Sequence, residues 1–387
     1  MSKILEAKSE TTEVPKCLES EYPEVAWGLE KQGNKHTAFN IPRPKVTDFD
    51  VKFEMLYCGI CHSDCHIGSN EFGSTSFPFV GGHELLGKVV EVGGKVTKFK
   101  VGDYAAVGCF VDSCRDCPQC KEGEEQYCDK GMTATYNGSK DHGRVGGNQD
   151  TKTFGGYSGS NVVHEDYVIK IPDTMQLDKT APILCAGITM YSPLCFWGAK
   201  QGGKTVGIIG VGGLGTMGIK LAKAMGNKVV AISTSDKKKD LAISKGADVF
   251  VISKDPESIK ANAFACDLIL NTVSVSHDLN AYIPLLNKQG VLVQLGAAAA
   301  PHNIGNFGLM LNRHQIAGSI IGGIRETQEL IDFCNEKNIY PDCEVIEANK
   351  IDWAWEQLTG AGLNATGVRY VIDIKKSLAN KDFLPAE

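Results

Sequence analysis

Residues 204–233, KTVGIIGVGGLGTMGIKLAKAMGNKVVAIS, constrain the fold more than any other stretch. An apolar run (KTVGIIG) gives way to a glycine-rich turn, then to a segment of helical period (TMGIKLAKAMG), then to a second apolar run (KVVAIS). Two parallel strands can be joined only by a crossover of a dozen or more residues, and here a helix supplies it. The alternation continues as KKKDLAISKG (helix), DVFVIS and DLILNT (strands), LNAYIPLLN (helix), and GVLVQLG and QIAGSIIGG (strands). Strands alternating with helices predict a parallel sheet built from βαβ units.

The rest of the chain reads differently. Residues 1–20 form a polar arm, and from about 25 to 110 short Val- and Phe-rich runs such as FDVKFEMLYCGIC and GKVVEVGGKVTKFKVGDYAAV are cut by Gly and Asp. Such text predicts an irregular β domain. Residues 137–156 contain nothing periodic and read as a long surface loop, and beyond 325 a helix (ETQELIDFCNEKN) and a last strand (VRYVIDI) remain. Two domains are expected from 387 residues, which exceed what one core usually supports.

The glycines Gly210, Gly212 and Gly215 have G-x-G-x-x-G spacing between a strand and a helix, the context that gives this pattern meaning. It predicts a dinucleotide site, with pyrophosphate against helix N-terminal amides. A purely structural glycine turn is the alternative. At the end of the second strand, Ser233, Thr234 and Ser235 stand where a carboxylate would hold ribose hydroxyls, followed by Lys237, Lys238 and Lys239. Hydroxyls and ammonium groups suit a 2′-phosphate, so NADP(H) is expected over NAD(H). Asp236 is expected to cap the next helix.

A net charge of −6 argues against nucleic acid as the partner. No apolar stretch reaches the length of a membrane span, and the acidic N-terminus resembles neither a signal nor a transit peptide, so a cytoplasmic location is expected. In that compartment the 14 cysteines are metal ligands or packed thiols before they are disulfides. Cys114, Cys117, Cys120 and Cys128 form one C-x2-C-x2-C-x7-C run. A second, dispersed set is Cys61, His83 and Cys185, with Glu84 as an alternative fourth ligand, the donor types of an open zinc site. On spacing alone, buried structural Cys and satisfied His remain the alternative.

CGICHSD, GGHELLGKVVEVG, SCRDCPQC, LCAGITMYSPL, GVGGLGTMGIKLAKAMG and STSDKKK occur in that order. Together they resemble the cinnamyl-alcohol dehydrogenase branch of the zinc-dependent medium-chain dehydrogenases, over residues 22–375, and GGYS and GSIIGGIRETQE resemble its broad-range aldehyde reductases. The resemblance implies an α/β fold, a GroES-like irregular β catalytic domain plus a Rossmann doubly wound parallel sheet. Its division would be an arm at 1–21, catalytic residues 22–184, cofactor-binding residues 185–324, and a return to the catalytic domain over 325–387. It implies two Zn2+ per chain, a catalytic one at Cys61, His83, Glu84 and Cys185 and a structural one at the four-cysteine run.

Asp64 would orient the ligand histidine, and Ser63 would pass a proton through the cofactor ribose from His66. Cofactor contacts would fall on Thr189, Gly210, Gly212, Gly213, Leu214, Gly215, Ser233, Thr234, Ser235, Lys238, Thr272, Gly296 and Arg369. The implied activity is reversible reduction of aldehydes to primary alcohols with NADPH, by a homodimer acting on small molecules. The alternatives are an NADP-dependent, mannitol-type polyol dehydrogenase and, more remotely, an inactive relative. Cys58, Cys65, Cys109, Cys195, Cys266, Cys334 and Cys343 are expected to pack as small hydrophobes, Cys17 to be exposed, and His36, His142, His164, His277, His302 and His314 to have no role in the chemistry. Lignin-pathway members carry a Trp before the Tyr-Asn pair; CDKGMTATYN has none, which points away from a dedicated monolignol role.

Overall fold

The fold was analysed in a computed structural model, which describes residue 19 and residues 21–138, 152–298, 300–360 and 367–385. Most of the polar arm, including Cys17, and the tip of the 137–156 loop, including His142, lie outside the described residues.

The βαβ text folds as a six-stranded parallel sheet. Its order is Val249–Ile252, Lys228–Ser233, Thr205–Ile209, Cys266–Asn271, Leu286–Gln294, Gln315–Gly318. The chain leaves Thr205–Ile209 toward one edge and returns to its other side with Cys266–Asn271. That reversal opens a crevice at the strands' C-terminal ends, directly beside Gly210. The helix Gly213–Ala224 covers one face and packs on Ala186–Phe196.

The irregular text folds as a seven-stranded, mainly antiparallel sheet. Its order is Cys343–Ile346, Arg369–Asp373, Asp50–Ile60, Leu85–Val92, Tyr104–Val107, Ile169–Ile171, with Ser160–His164 also on Asp50–Ile60. The C-terminal strand Arg369–Asp373 thus returns beside Asp50–Ile60, with Tyr370 opposite Ile60.

Three local expectations need correction, and one helix went unread. LNAYIPLLN is not a helix but two 3-10 turns, Leu279–Ala281 and Ile283–Leu285, because Pro284 lacks the amide that would continue one. QIAGSIIGG keeps only Gln315–Gly318 as strand. Asp236 does not cap a helix; it opens a 3-10 turn behind Ser235, which occupies the cap position. The helix Ala186–Phe196 carries no amphipathic signal because nearly every residue of it is buried.

Candidate active site

Adjacent strand ends bring the dispersed ligands together. Cys61 directly follows Asp50–Ile60 and occupies the N-cap of the helix His62–Gly68. His83 and Glu84 directly precede the paired strand Leu85–Val92, and the Gly59 amide donates to the Glu84 carbonyl at 3.0 Å. Cys185 arrives from far along the chain at the N-cap of Ala186–Phe196. The ligand atoms of Cys61, His83, Glu84 and Cys185 lie within 4.8 Å of one another, with Cys61 Sγ 3.8 Å from Cys185 Sγ. This donor set suits zinc: two thiolates, one imidazole and a carboxylate with an unpartnered buried Oε2.

Asp64 is fully buried, and its carboxylate is saturated. Oδ1 lies 3.0 Å from His83 Nδ1 and accepts the Gly82 amide, while Oδ2 accepts the Cys61 amide at 2.8 Å and the Tyr157 hydroxyl at 2.7 Å. Holding a proton on His83 Nδ1 leaves Nε2 as the ligating nitrogen. Burial alone would lower the His83 pKa, but Asp64 outweighs it and raises it. The Cys61 thiol is pulled down by hydrogen bonding with Cys185, against burial. Burial pushes Glu84 up to about 7, with the Arg369 guanidinium acting in the opposite sense.

Arg369 joins this set to the glycine turn. Its guanidinium pairs with Glu84, and a Cβ on Gly213 would lie 2.6 Å from its Cδ. Gly210 has φ 89°, and Thr272 packs over it, its hydroxyl donating to the Ile209 carbonyl at 2.8 Å. Nothing lies within 4 Å of where a Gly212 Cβ would be, the clearance a bound pyrophosphate needs. Gly215 packs on the Gly210 carbonyl, Gly296 on the Val273 backbone, and Leu214 against the core. Ser233 ends its strand, Thr234 and Ser235 follow, and the half-buried Lys238 ammonium donates to the Val211 carbonyl at 3.0 Å. Thr189 is buried one turn beyond Cys185, whose carbonyl accepts its amide at 3.0 Å.

Ser63 Oγ stands 3.6 Å from Cys61 Sγ. His66 stacks on His62 at 4.4 Å, pairs through Nδ1 with Glu71 and keeps a buried Nε2 free of protein partners.

The local cysteines also converge: the Sγ atoms of Cys114, Cys117, Cys120 and Cys128 lie within 4.8 Å of one another. Cys117 caps the short helix Pro118–Glu122, and Gly123 ends it at φ 81°. Cys114 and Cys117 amides point at the Sγ atoms of Cys128 and Cys114, at 3.3 and 3.4 Å. Backbone amide donors of Asp116 and Cys117 hold the Cys114 thiol down to about 6. Four thiols within ligand distance of one another, with no other donor type among them, make the set of a structural cage.

Three residues at the site, Tyr157, Tyr136 and Glu71, had no role assigned from the sequence. Tyr157 reaches Asp64 across 93 positions, and Tyr136 lies 3.1 Å from His83 Nδ1. Glu71 pairs with His66 from a turn. Cys109 packs against the core as expected, its Sγ 3.9 Å from the Leu184 carbonyl, and lines an apolar cavity with Phe110, Leu184, Ile188, Ile321 and Ile324. The stem of the 137–156 loop is paired, Asn137 and Gly138 with Thr153.

Two family models match, the alcohol dehydrogenase GroES-like domain over residues 47–173 and the zinc-binding dehydrogenase over 213–336. Cinnamyl alcohol dehydrogenase 8 of Arabidopsis thaliana is 45% identical over 91% of the chain and 96% of its own length. NADP-dependent alcohol dehydrogenase C 1 of Mycolicibacterium smegmatis is 48% identical over 87% of the chain and 94% of its own. Among solved structures, a cinnamyl alcohol dehydrogenase from Sorghum bicolor superposes with a TM-score of 0.86 at 37% identity, covering 92% of the chain and 99% of its own. The enzyme from Helicobacter pylori complexed with NADP(H) gives 0.83 at 38%, with the same coverage.

Proposed function

The chain belongs to the zinc-dependent medium-chain dehydrogenases, in their cinnamyl-alcohol dehydrogenase branch, and from that premise we propose the roles its residues take. It is an oxidoreductase that reduces aldehydes to alcohols with NADPH. One observation carries the assignment of residues: Arg369 touches both the mixed ligand set, through Glu84, and the glycine turn, through Gly213.

Cys61, His83 and Cys185 hold the catalytic zinc, with Glu84 beside them, and the four-cysteine cage holds a second zinc. When bound, the catalytic metal polarises the carbonyl as a Lewis acid and the dinucleotide supplies hydride. Asp64 keeps His83 in the ligating tautomer. Ser63, next to Cys61, holds a proton at Oγ for the developing alkoxide. His66 replenishes it, and Glu71 orients the imidazole. Gly210, Gly212, Gly213, Leu214 and Gly215 receive the pyrophosphate with Arg369; Ser233, Thr234, Ser235 and Lys238 receive the 2′-phosphate; Thr189, Thr272 and Gly296 border the nicotinamide half.

The substrates are small and aromatic aldehydes, since the cavity beside Cys109 is apolar and such walls discriminate by only about 1–3 kcal/mol per methylene. We keep residues 22–184 and 325–387 as the catalytic domain and 185–324 as the cofactor domain. A homodimer fits the edge of Gln315–Gly318, unpaired on its outer side among the described residues, and the exposed Phe307, Met310 and Leu311 that precede it. No helix among the described residues is long and apolar enough to cross a membrane, and we place the enzyme in the cytoplasm. The test compares kcat/KM for benzaldehyde, cinnamaldehyde and butanal against fructose and mannitol, with both dinucleotides. Higher efficiency on the polyol pair would overturn the aldehyde assignment.

A further inference from the structure

We propose that the four-thiolate lobe does more than stabilise a loop: through Tyr127 and Glu125 it latches residues 320–324, one wall of the small apolar cavity beside Cys109, and this wall borders the bound aldehyde. The proposal rests on the aldehyde-reductase reading. Glu122, Glu125 and Tyr127 all lie between the cage ligands Cys120 and Cys128. They meet the segment that follows the edge strand and the first turn of the helix Ile324–Lys337 to which it leads. The Ile320 amide donates to Tyr127 Oη at 3.2 Å, the Ile324 amide to Glu125 Oε2 at 3.1 Å, and Arg325 Nη2 to the Glu122 carbonyl at 2.8 Å. The carboxylate of Glu125 thus satisfies an amide of the first helical turn and faces the positive end of its dipole.

The segment so held is strained. Ile321 has φ 39°, a conformation a β-branched side chain adopts only under constraint. Its neighbours have no room for side chains. A Cβ on Gly322 would lie 2.7 Å from Ile188, and one on Gly323 would run into the Gly123 carbonyl of the lobe. The backbone is therefore clamped between the lobe and the helix that starts at Cys185. Ile321 and Ile324, on either side of these glycines, form one wall of the cavity that Cys109 and Leu184 line opposite. The lobe metal fixes residues 120–128, those residues fix 320–324, and 320–324 set the cavity's width. Tyr127 and Glu125 are positioning residues, since neither lines the cavity.

The experiment uses the zinc-loaded enzyme and the variants Tyr127→Phe, Glu125→Gln, Glu125→Ala and Glu125→Ala/Tyr127→Phe. Two readouts are taken: hydrogen exchange of residues 319–326, and kcat/KM for cinnamaldehyde relative to butanal. Each lost hydrogen bond is expected to speed exchange of the segment on the order of fivefold, and the double variant to shift the aldehyde ratio about tenfold through the aldehyde KM, with the NADPH KM unchanged. Glu125→Gln keeps an acceptor oxygen and is expected to behave as wild type. Unchanged exchange in the double variant would overturn the latch, and faster exchange with an unchanged aldehyde ratio would overturn its link to the cavity. Wild-type enzyme inactive on both aldehydes would overturn the functional reading alone, and exchange would then decide the latch.

Discussion

Two sulfur-rich clusters in this chain were assembled by opposite means. Cys114, Cys117, Cys120 and Cys128 come from residues 114–128, and three of them remain partly exposed. Cys61 and Cys185 are 124 positions apart, and their set is the more deeply buried, with Cys185 alone of intermediate exposure. The first needs only a short helix, a left-handed glycine and a few backbone amides. The second needs both sheets: paired strand ends for Cys61 and His83, a buried helix for Cys185, and a C-terminal strand to deliver Arg369. We therefore expect the local cluster to rest on its metal for its fold, and the dispersed one, built by the two sheets, to need its metal only to react.

That contrast makes its strongest claim about metal loss. A structural zinc contributes about 10–16 kcal/mol of binding free energy in isolated fingers, which rivals the entire stability of a domain, about 5–15 kcal/mol. Cys117→Ser is expected to abolish soluble expression or lower the melting temperature sharply. Cys61→Ser should reduce turnover to background while the melting temperature moves little. Elemental analysis with both variants checks the contrast, expecting two zincs in wild type and one in each variant that folds. Similar melting losses for the two substitutions would break it.

A smaller effect is expected where the dispersed set is oriented. Asp64→Asn keeps the shape but removes the charge that holds the proton on His83 Nδ1. Metal affinity at the catalytic site should fall about 10–100-fold, read by competition with a chromogenic chelator. The cage should keep its zinc throughout that titration. Loss of both metals in parallel would mean the sites are not independent.

Next comes Lys238, which belongs to neither cluster. Lys238→Ala removes a charged contact of about 1.5–3 kcal/mol, so the NADPH KM should rise on the order of ten- to a hundredfold. NADH kinetics and zinc content should be unchanged. A wild-type preference for NADH would refute the 2′-phosphate reading.

What could be read in the sequence follows the same division. The cage was legible because its ligands are neighbours, and the parallel sheet because apolar periodicity and glycine spacing are local. Cys61, His83, Glu84 and Cys185 were nameable through the ordered motifs, but their convergence depends on strand register that no spacing encodes. The roles of Tyr157, Tyr136 and Glu71 were not legible, since a tyrosine or glutamate in a turn looks the same whether it meets water or a ligand's partner. The helix Ala186–Phe196 was missed for the opposite reason, being buried all round with no polar face to give it a period. LNAYIPLLN misled because its apolar spacing imitates a helix that Pro284 forbids.

The smallest effect is expected at Asp342, which ties the layers on which the dispersed cluster depends and touches neither metal set. Its carboxylate meets Lys220 Nζ at 3.0 Å and Lys245 Nζ at 2.5 Å, and its carbonyl accepts the Arg369 amide at 2.8 Å. Burial works against its charge, but hydrogen bonds from Lys245 and Lys220 outweigh it and hold Asp342 below the ordinary aspartate range. A depressed carboxyl stabilises the fold fully above its unfolded value, about 3.9, and ceases to do so as pH falls through the folded value below it. The side chain is a third exposed, so solvent screening keeps the contribution under about 1 kcal/mol. Asp342→Asn should therefore melt slightly below wild type at neutral pH, and the difference should shrink as pH falls below the ordinary aspartate range. Acid displaces zinc from wild type and variant alike, so the difference between them isolates the carboxylate. Aldehyde turnover at neutral pH should be unchanged, because the Asn retains the backbone carbonyl under Arg369. A difference that does not shrink at all as pH falls below the ordinary aspartate range would exclude the ion pairs as its source. A fall in turnover without a fall in melting temperature would instead show that the Asp342 side chain helps to set the Arg369–Glu84 pair, making the dispersed site less independent of the molecule's outer contacts than the cage.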